Sequence, residues 1–348
     1  MALLWVEGFD RFGTSTDYKP QPDYVVSRKY ITSFEVERML IKTGKMGGYA
    51  LSMWADAGGW LKPAYGLTTN DTVVLGFAFR FGNGTAYNGY IAQLFDGTTQ
   101  GVSIRQASAN GTELSVTPST GTAYATTSTL GLQKDTWYYI ELKVKCHATE
   151  GTFDLHVDGT SVLSGSGLNT KIGSHLYHDR FRLAGFYNAP IFDDLYFLDS
   201  SGSVNNDFLG QMRVETIGVS ADGDSTQFTP SSGDNYAAID DAVADDDTSY
   251  VETPESNYKD LYAYNPLVGI STGIAGVVVN TVCKQSDAAS FSLKTLCKSG
   301  ATEDADAGQP IQSFTYLNKR RILETDPDTD GAWTPSSVAN AQFGFQLV

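Results

Sequence analysis

The sequence predicts an all-β protein of two domains, each a β-sandwich, on three observations. Its 348 residues exceed what one hydrophobic core usually serves. Gly (35), Tyr (19) and Phe (18) are abundant while 18% of residues are charged, a mix that suits short pleated strands and tight turns. Apolar residues also recur with a period of two along segment after segment, and no convincing helix interrupts the first 200 residues.

The alternation is clearest at Val73, Leu75, Phe77, Phe79 and Phe81, which share one face of a half-buried strand. Shorter strands are expected over Tyr90–Phe95, Gly101–Gln106 and Thr112–Thr117, between Gly-containing turns. A meander follows, with Ile140, Leu142, Val144 and Cys146 on one face of Trp137–Cys146, and Phe153, Leu155 and Val157 on one face of the next strand. Asp158-Gly159 is a two-residue hairpin signal, because both central positions favour positive φ. Arg180–Tyr187, Ile191–Asp199 and an opening strand Leu3–Asp10 bring the total to about a dozen, the scale of a jelly-roll sandwich.

Ser200–Asn206 is polar and small, which makes 201–206 a linker between a first domain (1–200) and a second, smaller one (207–348). Second-domain strands are expected over Gly210–Ile217, Tyr258–Tyr264, Gly273–Lys284, Ser290–Ser299, Ile311–Leu323 and Gln342–Val348. Ala221–Tyr250 reads as a loop with a short helix after Asn235. Thr334 followed by Pro335 signals a capped helical turn.

The net charge of −16 disfavours nucleic acid and anionic membranes as partners, since both need a cationic face. Lys319-Arg320-Arg321, the densest basic run, is too small for a phosphate channel. No apolar run approaches the ~18 residues of a membrane span. Met1–Trp5 lacks a basic leader, so the expectation is release into the cytosol. Three cysteines, Cys146, Cys283 and Cys297, are too few for a disulfide framework and read as buried thiols.

Several segments occur in a telling order: Glu7-Gly8-Phe9-Asp10, Gly47–Leu51, Asp135–Glu141, Val157-Asp158-Gly159 and Phe192–Asp199. Together they resemble the concanavalin A-like (laminin-G-like) jelly-roll domain of lectins and glucanases, over about residues 1–200. The resemblance implies that the last strand returns beside the first, pairing Ile191–Asp199 with Leu3–Asp10. Phe208–Thr216, Asp247–Val251 and Glu324–Pro327 with Ala332-Trp333-Thr334 are similar to structural proteins of tailed bacteriophages. That second resemblance implies a virion component assembled in the host cytoplasm, bound as a homo-oligomer to other capsid or tail proteins.

Catalysis is not expected from the residues. The carboxylate strand of laminarinase-type enzymes is missing: Glu35-Val36-Glu37 lacks the intervening Asp and third acid. Asp193 and Asp194 should point to opposite faces of one strand, with roles at a rim or turn. Gln93 lacks the His that the alginate-lyase pattern places two residues on. His175 and His178 read as parts of a polar loop without further zinc ligands, and His156 as outward-facing. There is no Gly-x-Ser-x-Gly elbow.

Two binding sites are suggested instead. Asp326, Asp328 and Asp330 before Gly331 match the first half of an oxygen-ligand loop for a structural Ca2+, although Ser337 stands where Glu should close it; a solvated turn is the simpler account. No other cofactor is implied. Trp54, Trp60, Tyr65 and Tyr87 fall in loop-rich stretches and could stack on sugar rings, or else serve a subunit interface. The leading expectation is therefore a non-enzymatic virion structural protein, and the alternative a module that recognises a host surface glycan. A polysaccharide-cleaving enzyme stands third.

Overall fold

A computed structural model describes residues 2–13, 16, 30–32, 39–53, 60–81, 89–107, 113–119, 121–127, 130–185, 189–270, 273–287, 290–311 and 314–348. The chain divides into two compact units, Met1–Val214 and Glu215–Val348. Both are built from antiparallel strands, as the composition and alternation predict.

In the first unit the strands are β1 (Leu3–Glu7), β2 (Tyr30–Thr32), β3 (Met39–Thr43), β4 (Tyr49–Met53), β5 (Trp60–Pro63), β6 (Thr72–Arg80), β7 (Tyr90–Asp96), β8 (Thr99–Gln106), β9 (Leu114–Thr117), β10 (Ala125–Thr126), β11 (Trp137–Lys145), β12 (Gly151–Val157), β13 (Thr160–Leu168), β14 (Arg180–Ala184) and β15 (Ile191–Asp199). They form two sheets. Sheet A runs β13-β12-β11-β6-β15-β4-β3, with β1 also on β15; sheet B runs β10-β9-β8-β7-β14-β5-β2. The pairing of first and last strands has Val6 opposite Tyr196 and Glu7 opposite Leu195.

Two inward faces close the core. From sheet A, β6 contributes Leu75, Phe77 and Phe79, and β15 contributes Phe197; all are fully buried. Sheet B answers with Phe181, whose ring lies 5.4 Å from Phe197 and 6.1 Å from Trp5. Edge-to-face and tilted contacts of this kind add to the stabilisation from buried area. Asp158 (φ 50°) and Gly159 (φ 79°) make the expected positive-φ hairpin between β12 and β13.

Residues 207–214, expected at the start of the second domain, belong to the first unit. No strand forms over 210–217. Asp193 and Asp194 also depart from a regular alternation. A bulge interrupts the β15–β6 register between Asp193 and Tyr196, and Asp194 takes a φ of 49°. Both carboxylates are buried, not at a rim.

The second unit holds β16 (Val219–Thr226), β17 (Thr229–Pro230), β18 (Val251–Glu252), β19 (Lys259–Tyr264), β20 (Val277–Cys283), β21 (Phe291–Ser299), β22 (Thr302–Ala305), β23 (Gln309–Ile311), β24 (Leu317–Leu323), α1 (Pro335–Asn340) and β25 (Gln342–Leu347). Its main sheet runs β16-β19-β25-β21-β22, with β23 also on β21; β20 and β24 pair as a ribbon. Val279, Leu323, Trp333, Val338 and Phe343 form one buried cluster. Thr334 caps α1 by accepting from the Ser337 amide, and Ser337 accepts from the Thr334 amide in return. Ala221–Tyr250 is less loop-like than expected, because β16 occupies its start.

Candidate functional site

The first unit gathers polar and cationic side chains on the face of sheet B that points away from its core. Antiparallel register decides which residues share that face, since directly opposed residues stand on the same side. Leu183 opposes both Leu61 and Ala92 on the core side. The alternate residues therefore face outward: Arg182 opposes Gln93, Gln93 opposes Ser103, and Ser103 opposes Thr117. Lys62, next to Leu61, falls beside Arg182. The result is one lateral row, Lys62–Arg182–Gln93–Ser103–Thr117, across β5, β14, β7, β8 and β9. Two rows flank it, Tyr90–Arg105–Ser115 on one side and Arg180–Phe95–Gln100 on the other.

Four of the five residues of the central row are buried although they lie outside the core: Gln93 and Ser103 are 0% exposed, Thr117 5% and Lys62 8%, while Arg182 is half-buried. Burying polar groups costs free energy unless they are hydrogen-bonded, so such a row signals a built site more than a solvated sheet face. The hydrogen bonds run along it. Arg182 Nη2 donates to Gln93 Oε1. Gln93 Nε2 and Gln100 Nε2 both donate to Ser103 Oγ, at 3.4 and 3.3 Å.

Phe95 forms the floor between the cations. Lys62 Nζ lies 4.9 Å from its ring centroid and the Arg182 guanidinium 5.0 Å. The Arg105 guanidinium lies 4.6 Å from the Tyr90 ring in the adjoining row. Arg180 is paired with Asp179 at 2.9 Å. Burial pulls the Lys62 ammonium below its ordinary value, and the neighbouring charges of Arg180 and Arg182 push it the same way. Burial brings Arg182 down to about 10, so it stays cationic at neutral pH.

At one end of this sheet, His175 Nδ1 meets Asp96 Oδ1 at 2.7 Å, and the His175 amide donates to Asp96 Oδ2. His178, expected in a polar loop, is instead 1% exposed and packed against Gly101. Its burial brings the imidazole down to about 4.

Of the aromatic residues expected to stack on sugars, Trp54 and Tyr87 lie outside the described residues. So does the side chain of Trp60, whose backbone opposes Ala184 in sheet B. Tyr65 is described and 57% exposed, with its ring 6.4 Å from Trp5. The structure does not bring Tyr65 into the polar row. In the second unit, Asp326 is 3% exposed and its Oδ1 accepts from the Asp328 amide, while Asp328 Oδ1 accepts from Thr302. Among the described residues no three His, Cys, Asp or Glu side chains converge on a metal position, Asp326, Asp328 and Asp330 included.

No family profile matches the sequence, and no curated protein does. Among solved structures, the chain is similar to an endo-β-1,4-glucuronan lyase from the fungus Trichoderma reesei, with a TM-score of 0.34 and 16% identity over 44% of this chain and 82% of that one. It is similar to an alginate lyase from Chlorella virus, with a TM-score of 0.36 and 12% identity over 47% and 89%. A carbohydrate-binding module from Bacillus subtilis gives a TM-score of 0.35 and 10% identity over 49% and 96%. The likeness is one of β-sandwich architecture alone. The expectation of a non-enzymatic virion component is overturned by these neighbours, which are polysaccharide lyases and a carbohydrate-binding module. With lyases among them, the expectation that the chain is not an enzyme is withdrawn as well.

Proposed function

We propose that the first unit recognises a glycan, and specifically an acidic polysaccharide, on the outer face of sheet B. The observation that carries this reading is the gathering of Lys62, Arg180 and Arg182 around Phe95, in line with Gln93 and Ser103. Arg180 is met by Asp179, and Lys62 and Arg182 add two more cations on the same face, to which an anionic ligand is complementary.

Each part has a role in holding a uronate chain. Arg182 offers a planar fork that matches a carboxylate, and Lys62 a compact point charge. Gln93, held by Ser103 beneath the surface, accepts from Arg182 and fixes the guanidinium in place. The buried Phe95 ring supports both cations from below and orients them. The row is also a local exception in a chain of net charge −16, which would repel an acidic polymer elsewhere.

Calorimetric titration of the full chain with polymannuronate, polygalacturonate and a neutral glucan tests the reading. The acidic polymers are expected to bind, with affinity falling as salt rises. Arg182→Gln should weaken that binding by roughly tenfold or more, as loss of a charged hydrogen-bond donor does. Silence with every polymer, or equal affinity in Arg182→Gln and wild type, would contradict the proposal. Following the same mixtures in the ultraviolet reports whether the bound chain is cleaved, because β-elimination leaves a conjugated unsaturated uronate.

A further inference from the structure

The outer face of sheet A carries a second built feature, on the opposite sheet from the polar row. Opposed positions align His156, Glu141, Gly76 and Tyr196 across β12, β11, β6 and β15. Gly76 is the reason this row is flat. The Tyr196 ring lies where a Cβ on residue 76 would stand, which lets its hydroxyl reach Glu141 Oε1 at 2.5 Å. Glu141 is 0% exposed on a face that would otherwise meet water.

What covers it is the segment after β15. Asp207 pairs with Lys143 at 2.9 Å. The Phe208 ring stacks on His156 with centroids 3.9 Å apart. The Leu209 amide donates to the Tyr196 hydroxyl at 3.3 Å, and the Gly210 amide to Glu141 Oε1 at 2.9 Å. Four residues on, the Val214 amide donates to Asp194 Oδ1 at 2.7 Å. A side chain at Gly8 would press on Val214, so the segment lies close against β1's end as well.

Amides at 209, 210 and 214 thus donate to a phenol and two carboxylates, from a segment that turns at Gly210 (φ 76°) to follow the sheet face. The acceptors are side chains on a sheet face, not the main chain of a sheet edge, and two are ionisable groups that give strong hydrogen bonds.

We propose that this face of sheet A is a docking groove for the chain's own residues 207–214, which lie over it as a strap. Undocking of the strap is then an event distinct from unfolding of the unit. It exposes Glu141, Tyr196 and Asp194 while the two-sheet core stays closed. The small polar residues of 200–206 serve as the turn that brings the strap back over β15, not as a free linker.

Arg213 makes the proposal testable, since trypsin can cleave after it once the strap is undocked. In the intact full-length protein, cleavage at Arg213 should be slow, and hydrogen exchange at the amides of 209, 210 and 214 protected. Glu141→Gln and Phe208→Ala should each speed that cleavage by roughly tenfold or more, tracking the undocked population. Phe208→Ala alters the strap and leaves the sheets intact, so it separates undocking from misfolding. Its thermal unfolding midpoint should stay within a few degrees of wild type. Prompt cleavage at Arg213 in the wild type, or unprotected amides at these three positions, would overturn the proposal. So would Phe208→Ala leaving the cleavage rate unchanged.

Discussion

At the scale of single residues, the two faces of the first unit depend on side chains that sequence patterning treats as ordinary. Lys62 and Arg182 look like solvated strand positions, but register places them side by side over Phe95. Replacing Lys62 by Gln should weaken acidic-polysaccharide binding, and more so at low salt than at high salt, as titration at two ionic strengths will show. Gly76 is the corresponding residue on sheet A. Gly76→Ala puts a methyl group into the Tyr196 ring, and should lower unfolding free energy by about 1–3 kcal/mol, measured by urea denaturation.

Secondary-structure elements divide into those the sequence announces and those it conceals. Alternation at Val73–Phe79 is local, so β6 is legible from a few residues. The Asp158-Gly159 hairpin and the α1 cap are equally local, being set by backbone preference and by side chains three residues apart. Thr334→Ala should accordingly cost the second unit about 1 kcal/mol in chemical denaturation. The polar row is not local. Its members come from five strands, with Lys62 and Arg182 separated by most of the first unit, and a strand face of Gln, Ser and Arg reads as solvated until the pairing is known. The strap escapes for another reason. Its lead-in of Ser, Gly and Asn has a linker's composition, and its anchors are amides, which every residue but proline carries. At Asp193-Asp194, a bulge defeats the alternation that would have put the two on opposite faces.

For the molecule as a whole, buried ionisable groups in the first unit set how its stability varies with pH. His178 is brought down to about 4 by burial. Its contribution is fully present above its unfolded value of about 6.5 and is lost as pH falls through about 4, for about 3 kcal/mol in all. Asp193 has the opposite sign. Burial, then the Asp194 charge, pushes it up to about 8. Its contribution is present below the unfolded value and disappears as pH rises through about 8. The thermal midpoint of the first unit should therefore fall between about pH 6 and pH 9, and Asp193→Asn should flatten that decline. Calorimetric scans of the full chain across this range will read both effects.

The location of the glycan is the claim on which the functional account turns. Backbone amide shifts recorded while a uronate oligosaccharide is titrated into the full chain would test it most directly. The largest changes should cluster at Lys62, Gln93, Phe95, Ser103 and Arg182. Changes confined to Tyr65 and its loop or to residues beyond Val214, or a spectrum that does not respond, would contradict it.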